Sequence, residues 1–204
     1  MHANKPFILG LTGGIGCGKS EAAACLRSLG AAHVDADAIS RALTAPGGKA
    51  LPAIRERFGD GVFYPDGTLN RGALGQIVFD SAPHRRLLEG ILHPLVQHRV
   101  LSEIQAASER GDRVVVLDVP LLFETGMDVL CDETWAVTAD AETQLIRVMS
   151  RGFTAEQAQA RIDSQMPAEE RSARATRTIN TNRPIDRTQA ELTSMYQQLL
   201  KRLG

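Results

Sequence analysis

Cysteine is scarce: Cys17, Cys25 and Cys131 are all there is in 204 residues. An odd number without paired spacing excludes a disulfide framework and a cysteine zinc site, so the thiols are expected to be reduced. An excess of either charge is also missing. Lys and Arg number 23 against 24 Asp and Glu, for a formal net charge of -1. No global positive field therefore points to nucleic acid or to an anionic membrane, and any anion has to be held locally. No apolar stretch approaches the roughly 20 residues that span a bilayer. The opening MHANKPFILGLTGG carries one Lys and a short apolar run broken by glycines, without the h-region or cleavage site of a secretion signal. The expected location is the cytoplasm. Repeats and low-complexity tracts are absent too. The remaining composition, 43% hydrophobic and 23% charged, is that of a globular chain expected to form a single domain, one core with insertions, over 1–204.

What is present alternates between strand and helix patterns. Phe7, Ile8, Leu9 and Leu11 form an apolar run ended by glycines, and an alanine-rich helical segment follows over 19–29. Residues 31–34 read as a second strand, and 37–43 as a helix. Pro46, Gly47 and Gly48 punctuate the chain before helical spacing of Leu51, Ile54 and Phe58. Tyr64-Pro-Asp-Gly67 signals a turn, and Asn70 is suited to cap a helix reaching about Phe79. A helical region opens at Pro83 and runs to about Arg110, with a kink or break expected at Pro94. Residues 113–118 and 134–138 read as buried strands, 141–150 and 155–175 as helix, Ile179 as part of a weak last strand, and Asp186 as the start of a terminal helix. Such alternation predicts a three-layer α/β/α fold on a parallel sheet. Its core spans about 6–46 and 111–204, interrupted by a helical insertion over about 47–110.

The most specific segment is Gly13-Gly-Ile-Gly-Cys-Gly-Lys-Ser20, which matches G-x-x-x-x-G-K-[ST] without a gap. With glycine usage near 7%, a chance match in a chain of this size has odds on the order of 1%, and the strand before and helix after lower them. Glycines let successive backbone N–H groups approach phosphates, and the helix that follows presents its positive end to them. Lys19 is suited to neutralise β/γ oxygens, and the Ser20 hydroxyl to hold Mg²⁺. Mg-ATP or Mg-GTP is the implied ligand, with Gly14, Ile15, Gly16, Cys17, Gly18, Lys19, Ser20 and Glu21 as its contacts. Cys17 sits near a helix N-terminus, where a thiol pKa can fall and reactivity rise; alternatively it is a small residue where Ser would also fit. Glu21, beside the expected α-phosphate, is expected to turn toward solvent or an Arg.

Phosphoryl transfer to an alcohol needs a residue that orients the hydroxyl and accepts its proton, and a strand-end Asp is suited to that. Asp35 and Asp37 are both candidates, with helix capping as the alternative for each. Asp118 follows four apolar strand residues, as the Mg²⁺-holding acid of such enzymes does; a strand-end cap is again the alternative. Arg147 and Arg151 are four apart and would share one helix face. With Arg161 they are suited to a lid over the triphosphate, against the alternative of a solvated face. His93, before Pro94, is either a substrate contact or a structural histidine. His2, His33, His84 and His98 carry no usable pattern.

Taken together, Leu11-Thr-Gly-Gly-Ile-Gly-Cys-Gly-Lys-Ser20, Val34-Asp-Ala-Asp37 with Arg41, Leu92-His-Pro-Leu95, Asp118-Val-Pro-Leu-Leu-Phe-Glu124 and Thr143-Gln-Leu-Ile-Arg147 resemble the dephospho-CoA kinase family in order and spacing. The resemblance implies a P-loop kinase that moves the ATP γ-phosphate to the ribose 3′-hydroxyl of dephospho-CoA. It implies Asp37 as the base, Lys19 and Arg147 as further catalytic residues, and a lid over about 147–176 bearing Arg147 and Arg151. The insertion becomes the CoA-binding part, with Thr12, Asp37, Arg41 and His93 on the substrate side, and Ser20 and Asp118 on Mg²⁺. The chain departs from the family pattern at Cys17, at Glu21 and over 175–181, where an Asp and an Asn expected near adenine are missing. Another nucleotide or nucleoside kinase is the competing reading, and a non-catalytic nucleotide-binding module a further one. A GTPase switch would need an Asn-Lys-x-Asp motif, which the chain lacks.

Overall fold

A computed structural model describes residues 5–204, so His2 and the first four residues of the N-terminal segment lie outside it. Five parallel strands carry the core: β1 (Phe7–Gly13), β2 (Ala32–Asp35), β3 (Val114–Asp118), β4 (Glu133–Thr138) and β5 (Arg177–Asn180), in the order β2-β3-β1-β4-β5. β1 is central, with Leu11 opposite Asp118 of β3 and Trp135 of β4. Every residue of β3 is buried. Alternation explains this. Leu9, Leu11, Val114, Val116, Trp135, Val137 and Ile179 pack into one apolar cluster with Leu26 of α1 (Lys19–Ser28) and Leu192 and Leu199 of the terminal helix α9 (Ile185–Arg202). Ile8, Val115, Leu117 and Ala136, pointing the other way, are buried as well. Each large side chain removed from water in this way contributes roughly 1.5–3 kcal/mol.

Trp135 is fully buried and donates its indole N–H to Glu133 Oε1 at 2.8 Å. Glu133, itself buried, also accepts from Arg177 and Arg202. Burial alone would raise the Glu133 carboxyl pKa. Its hydrogen bonds from Arg202 and Trp135 and the Arg202 charge outweigh that and hold it below the ordinary range.

The chain divides into two compact units: residues 5–34 with 104–204, and residues 35–103. The second is helical. It holds α2 (Ala36–Leu43), α3 (Leu51–Phe58), α4 (Arg71–Asp80) and most of α5 (Ala82–Arg110). Asn70 caps α4 through Ala73 N–H at 3.0 Å. Arg71 ties α4 back, donating to the Arg41 carbonyl at 3.1 Å and to Thr44 Oγ1 at 2.7 Å.

Two local expectations need correction. α5 runs unbroken through Pro94. The carbonyl that Pro94 leaves without a donor belongs to Gly90, and both residues are exposed, so water can take the missing bond. The helical stretch expected over 155–175 is instead two helices, α7 (Ala155–Asp163) and α8 (Ala168–Arg174). Pro167 lacks an N–H and starts α8 as its N-cap, so the first helix ends before it. α6 (Ala141–Met149) precedes them, capped by Asp140.

Candidate functional site

All five strands run the same way, so Gly13, Asp35, Asp118, Thr138 and Asn180 lie at the carboxyl end of their strands, the edge where open α/β sheets bind ligands. From β1 the chain enters the loop Gly13–Ser20 and then α1. Gly18 is the N-cap of α1 in the left-handed conformation, with φ 84°, and no side chain caps the helix there. The loop therefore leads straight onto the positive end of a helix. Gly16 also has positive φ, 79°, and a Cβ on it would stand 2.8 Å from the Gln144 carbonyl. Only glycine satisfies both conditions.

The loop is gripped from behind by residues distant in sequence. Gln144 donates from Nε2 to the Ile15 carbonyl at 2.9 Å and to Cys17 Sγ at 3.1 Å. Gln165 Oε1 accepts from Ile15 N–H at 2.8 Å. Thr181 Oγ1 donates to the Cys17 carbonyl at 2.9 Å. Arg147 donates from Nη1 to the Gly16 carbonyl at 3.2 Å and to Thr181 Oγ1 at 2.9 Å, and from Nη2 to the Thr181 carbonyl at 2.8 Å. Four side chains thus hold the loop's backbone in shape, and a loop so held costs less to order around an anion.

Lys19 reaches from the start of α1 to Asp118 Oδ1 at the end of β3. His33 of β2 meets the other oxygen, Nε2 to Oδ2, at 3.2 Å. Asp118 is 5% exposed. Burial pushes its carboxyl up, but the His33 hydrogen bond and the Lys19 ammonium prevail and hold it below the usual carboxylate range. It is ionised at neutral pH and engaged with two side chains rather than capping a strand. Ser20 follows Lys19 in the first turn of α1. Hydroxyl and carboxylate oxygens are hard donors that suit Mg²⁺, an ion that keeps waters and leans on substrate phosphates. No group of three or more His, Cys, Asp or Glu among the described residues forms a metal cage of its own. The donor set fits a metal that arrives with a nucleotide.

Several sequence expectations are corrected by this geometry. The Thr12 side chain is fully buried and donates to the Pro120 carbonyl at 2.9 Å, so it braces β1 and is not presented to a substrate. Cys17 is 1% exposed, and burial raises its thiol pKa despite the positive charge of Arg171 and Arg147 nearby. The lowered pKa expected at a helix start does not arise, because the Cys17 side chain turns into the core. Alkylation in the folded protein is therefore expected to label Cys17 at least ~10-fold more slowly than Cys25, read by mass spectrometry. Rapid labelling of Cys17 that ATP suppresses would restore the reactive thiol. Arg147 and Arg151 do not share a helix face: α6 ends at Met149, and Arg151 stands exposed in the turn beyond it. Arg161 lies over the Phe153 ring, 4.1 Å from its centroid. Glu21 is exposed, as expected.

In the helical unit, Asp35 is the N-cap of α2, accepting from Ala38 N–H at 2.9 Å. Asp35 thus fills the capping role that the sequence left open to either acid. Asp37 is exposed in the first turn, and Arg41, also exposed, lies 3.8 Å from Asp35. His93 is exposed on α5.

His33, Gln144, Gln165, Arg171 and Thr181 escaped sequence reasoning as site residues. Gln144 left a signal: it shares the buried face of α6 with Val148, four residues on, where an apolar residue is expected. Thr181 and Thr176 stand where the family pattern carries Asn and Asp. Thr176 exchanges hydrogen bonds with Thr134, N–H to Oγ1 in both directions at 3.1 Å. The departure over 175–181 thus builds contacts to β4 and to the loop.

A family model described as dephospho-CoA kinase matches residues 7–186. A dephospho-CoA kinase of Symbiobacterium thermophilum is 46% identical over 93% of this chain and 80% of its own length. That of Geobacillus kaustophilus is 41% identical over 94% and 96%. Among solved structures, a Thermus thermophilus protein superposes with a TM-score of 0.80 at 32% identity, covering 96% of this chain and 99% of that one. A dephospho-CoA kinase from Campylobacter jejuni superposes at 0.66 and 23% identity, over 96% and 98%, a likeness of fold.

Proposed function

Because the chain belongs to the dephospho-CoA kinase family, we propose that it transfers the γ-phosphoryl group of ATP to the ribose 3′-hydroxyl of dephospho-CoA, yielding coenzyme A and ADP, the last step of coenzyme A synthesis. The observation that carries the reading is the Lys19 ammonium held on the buried Asp118 carboxylate beneath a braced phosphate-type loop. Gly14 to Glu21 receive the polyphosphate, and Lys19 leaves Asp118 to neutralise charge on the group in transfer. Ser20 and Asp118 are the residues that would hold Mg²⁺, which supplies charge neutralisation across the β- and γ-phosphates when bound.

Asp37 accepts the proton of the acceptor hydroxyl as its oxygen bonds to phosphorus and the bond to the ADP oxygen breaks. Arg41 and His93 contribute acceptor contacts. Arg147 acts through the Gly16 carbonyl to keep the loop in register. The protein works in the cytoplasm on small molecules, with neither nucleic acid nor membrane as partner; among the described residues no helix is long and apolar enough to cross a bilayer.

The test is an ADP-release assay with Mg-ATP and dephospho-CoA beside adenosine, AMP and pantothenate derivatives. Turnover on dephospho-CoA at least ~100-fold above the others in kcat/KM is expected, since an acceptor site built for polar groups rejects analogues that lack them. Turnover on AMP with none on dephospho-CoA would sink the proposal.

A further inference from the structure

We infer that His33 is a positioning residue of the nucleotide site: by holding Oδ2 of Asp118 it lets Lys19 leave Oδ1 for the phosphates and keeps that oxygen aimed at the cation that follows. His33 lies on β2, the edge strand beside β3. Its imidazole Nε2 stands 3.2 Å from Asp118 Oδ2, while the Lys19 ammonium sits on Oδ1. A carboxylate paired with an ammonium has no proton to give, so Nε2 carries the ring proton and is the donor. Val, Ile and Thr suit a half-buried strand position better than His does. Here the strand's histidine instead spends a polar edge on a buried carboxylate of the neighbouring strand.

The two partners of Asp118 differ in what they are free to do. The Lys19 ammonium rides on a flexible stem with rotatable donors, whereas the His33 ring is a stiff body standing on a strand. In the proposed reaction Lys19 is the partner that departs. A buried carboxylate stripped of its ammonium and left with nothing else is costly, and nucleotide binding would carry that cost. His33 stays on Oδ2 and takes much of it away, because a hydrogen bond to an ionised acceptor is among the strong ones. It also fixes the plane of the carboxylate. With Oδ2 tied to β2, Oδ1 is the oxygen left facing the place that Lys19 vacates, next to Ser20 in the first turn of α1. Groups that orient a metal-binding carboxylate from behind are typically worth 10–100-fold in affinity or activity.

This inference rests on the loop and Asp118 serving a nucleotide with its metal, as proposed above, and is independent of the acceptor. Its first test is nitrogen NMR of the imidazoles, with His33 assigned through its own backbone. Nε2 is expected to be protonated both in the free protein and in the complex with Mg²⁺ and a non-hydrolysable ATP analogue, since the hydrogen bond outlasts the departure of Lys19. A ring protonated on Nδ1 alone, in either state, overturns the inference. The second test is calorimetric binding of the same Mg²⁺-loaded analogue to wild type, H33L and H33Q. H33L, folded by circular dichroism, should bind ~10–100-fold more weakly, with KM for the acceptor within about twofold of wild type. Gln reaches its amide nitrogen over the same number of bonds as His reaches Nε2, so H33Q should stay within about threefold of wild type, rescued by its donor. Wild-type affinity in folded H33L, or an equal loss in H33L and H33Q, overturns the inference. Should H33L fail to fold, the nitrogen spectra of the wild type decide. If the wild type ignores dephospho-CoA while analogue binding still depends on His33, the acceptor reading fails and this one stands.

Discussion

Lys19→Met is expected to lower kcat by about 10³-fold, since one preorganised donor aimed at developing charge is worth roughly 10²–10³ and this one also carries a full positive charge. The expected split is informative: kcat and kcat/KM for ATP fall together if the ammonium acts mainly in the transition state, whereas a rise in KM alone would mean ground-state binding only. Steady-state kinetics at saturating acceptor measure it. A variant within about tenfold of wild type would remove Lys19 from the chemistry. The same substitution has a second consequence in the folded protein. Asp118, buried, loses the ammonium on Oδ1 and keeps only His33 on Oδ2. A charged buried group short of a partner costs roughly 1–3 kcal/mol, which urea unfolding would read.

The sign with pH follows from the Asp118 carboxyl, whose folded pKa lies below its unfolded value. Its contribution to stability is present above the unfolded carboxylate range near 3.9 and is lost as pH falls through the folded value. Without Lys19 the depression shrinks, so the variant should lose less stability between neutral and acid pH than wild type does.

Asp37→Asn is expected to lower kcat by about 10²–10⁴-fold, the range attributed to a positioned general base, with KM for ATP changed by no more than about threefold. Asn keeps the size and most hydrogen bonding but accepts no proton. The control is internal. Asp35 caps α2 through Ala38 N–H, so Asp35→Asn, a residue type equally good at capping, should leave stability and kcat near wild type. If instead Asp35→Asn abolishes turnover and Asp37→Asn does not, the base has been assigned to the wrong acid.

Much of the fold is legible in the chain because its signals are local. The glycine punctuation after Leu11, the apolar run Val114 to Leu117 and the Asn70 cap each act within a few residues, and β1, β3 and α4 form where those signals stand. Where two local signals compete, legibility fails. Charged helical sequence continued past Asp163, yet Pro167 divides it into α7 and α8; of the kink or break expected at Pro94, the break does not occur, since α5 continues through it.

The residue types of the phosphate loop, with Lys19 and Ser20, are dictated by sequence alone, because backbone approach to an anion restricts a contiguous segment to glycine and a short list of partners. What the tertiary structure decided is everything that meets the loop from elsewhere in the chain. It set Asp118 between Lys19 and His33 and sealed Thr12 and Cys17 inward. It turned Arg147 onto the Gly16 carbonyl and brought Gln144, Gln165, Arg171 and Thr181 around Gly14 to Cys17. These residues are separated by as many as 164 positions from their partners. No spacing rule relates them, since their proximity follows from the order β2-β3-β1-β4-β5 and from helices packing across it.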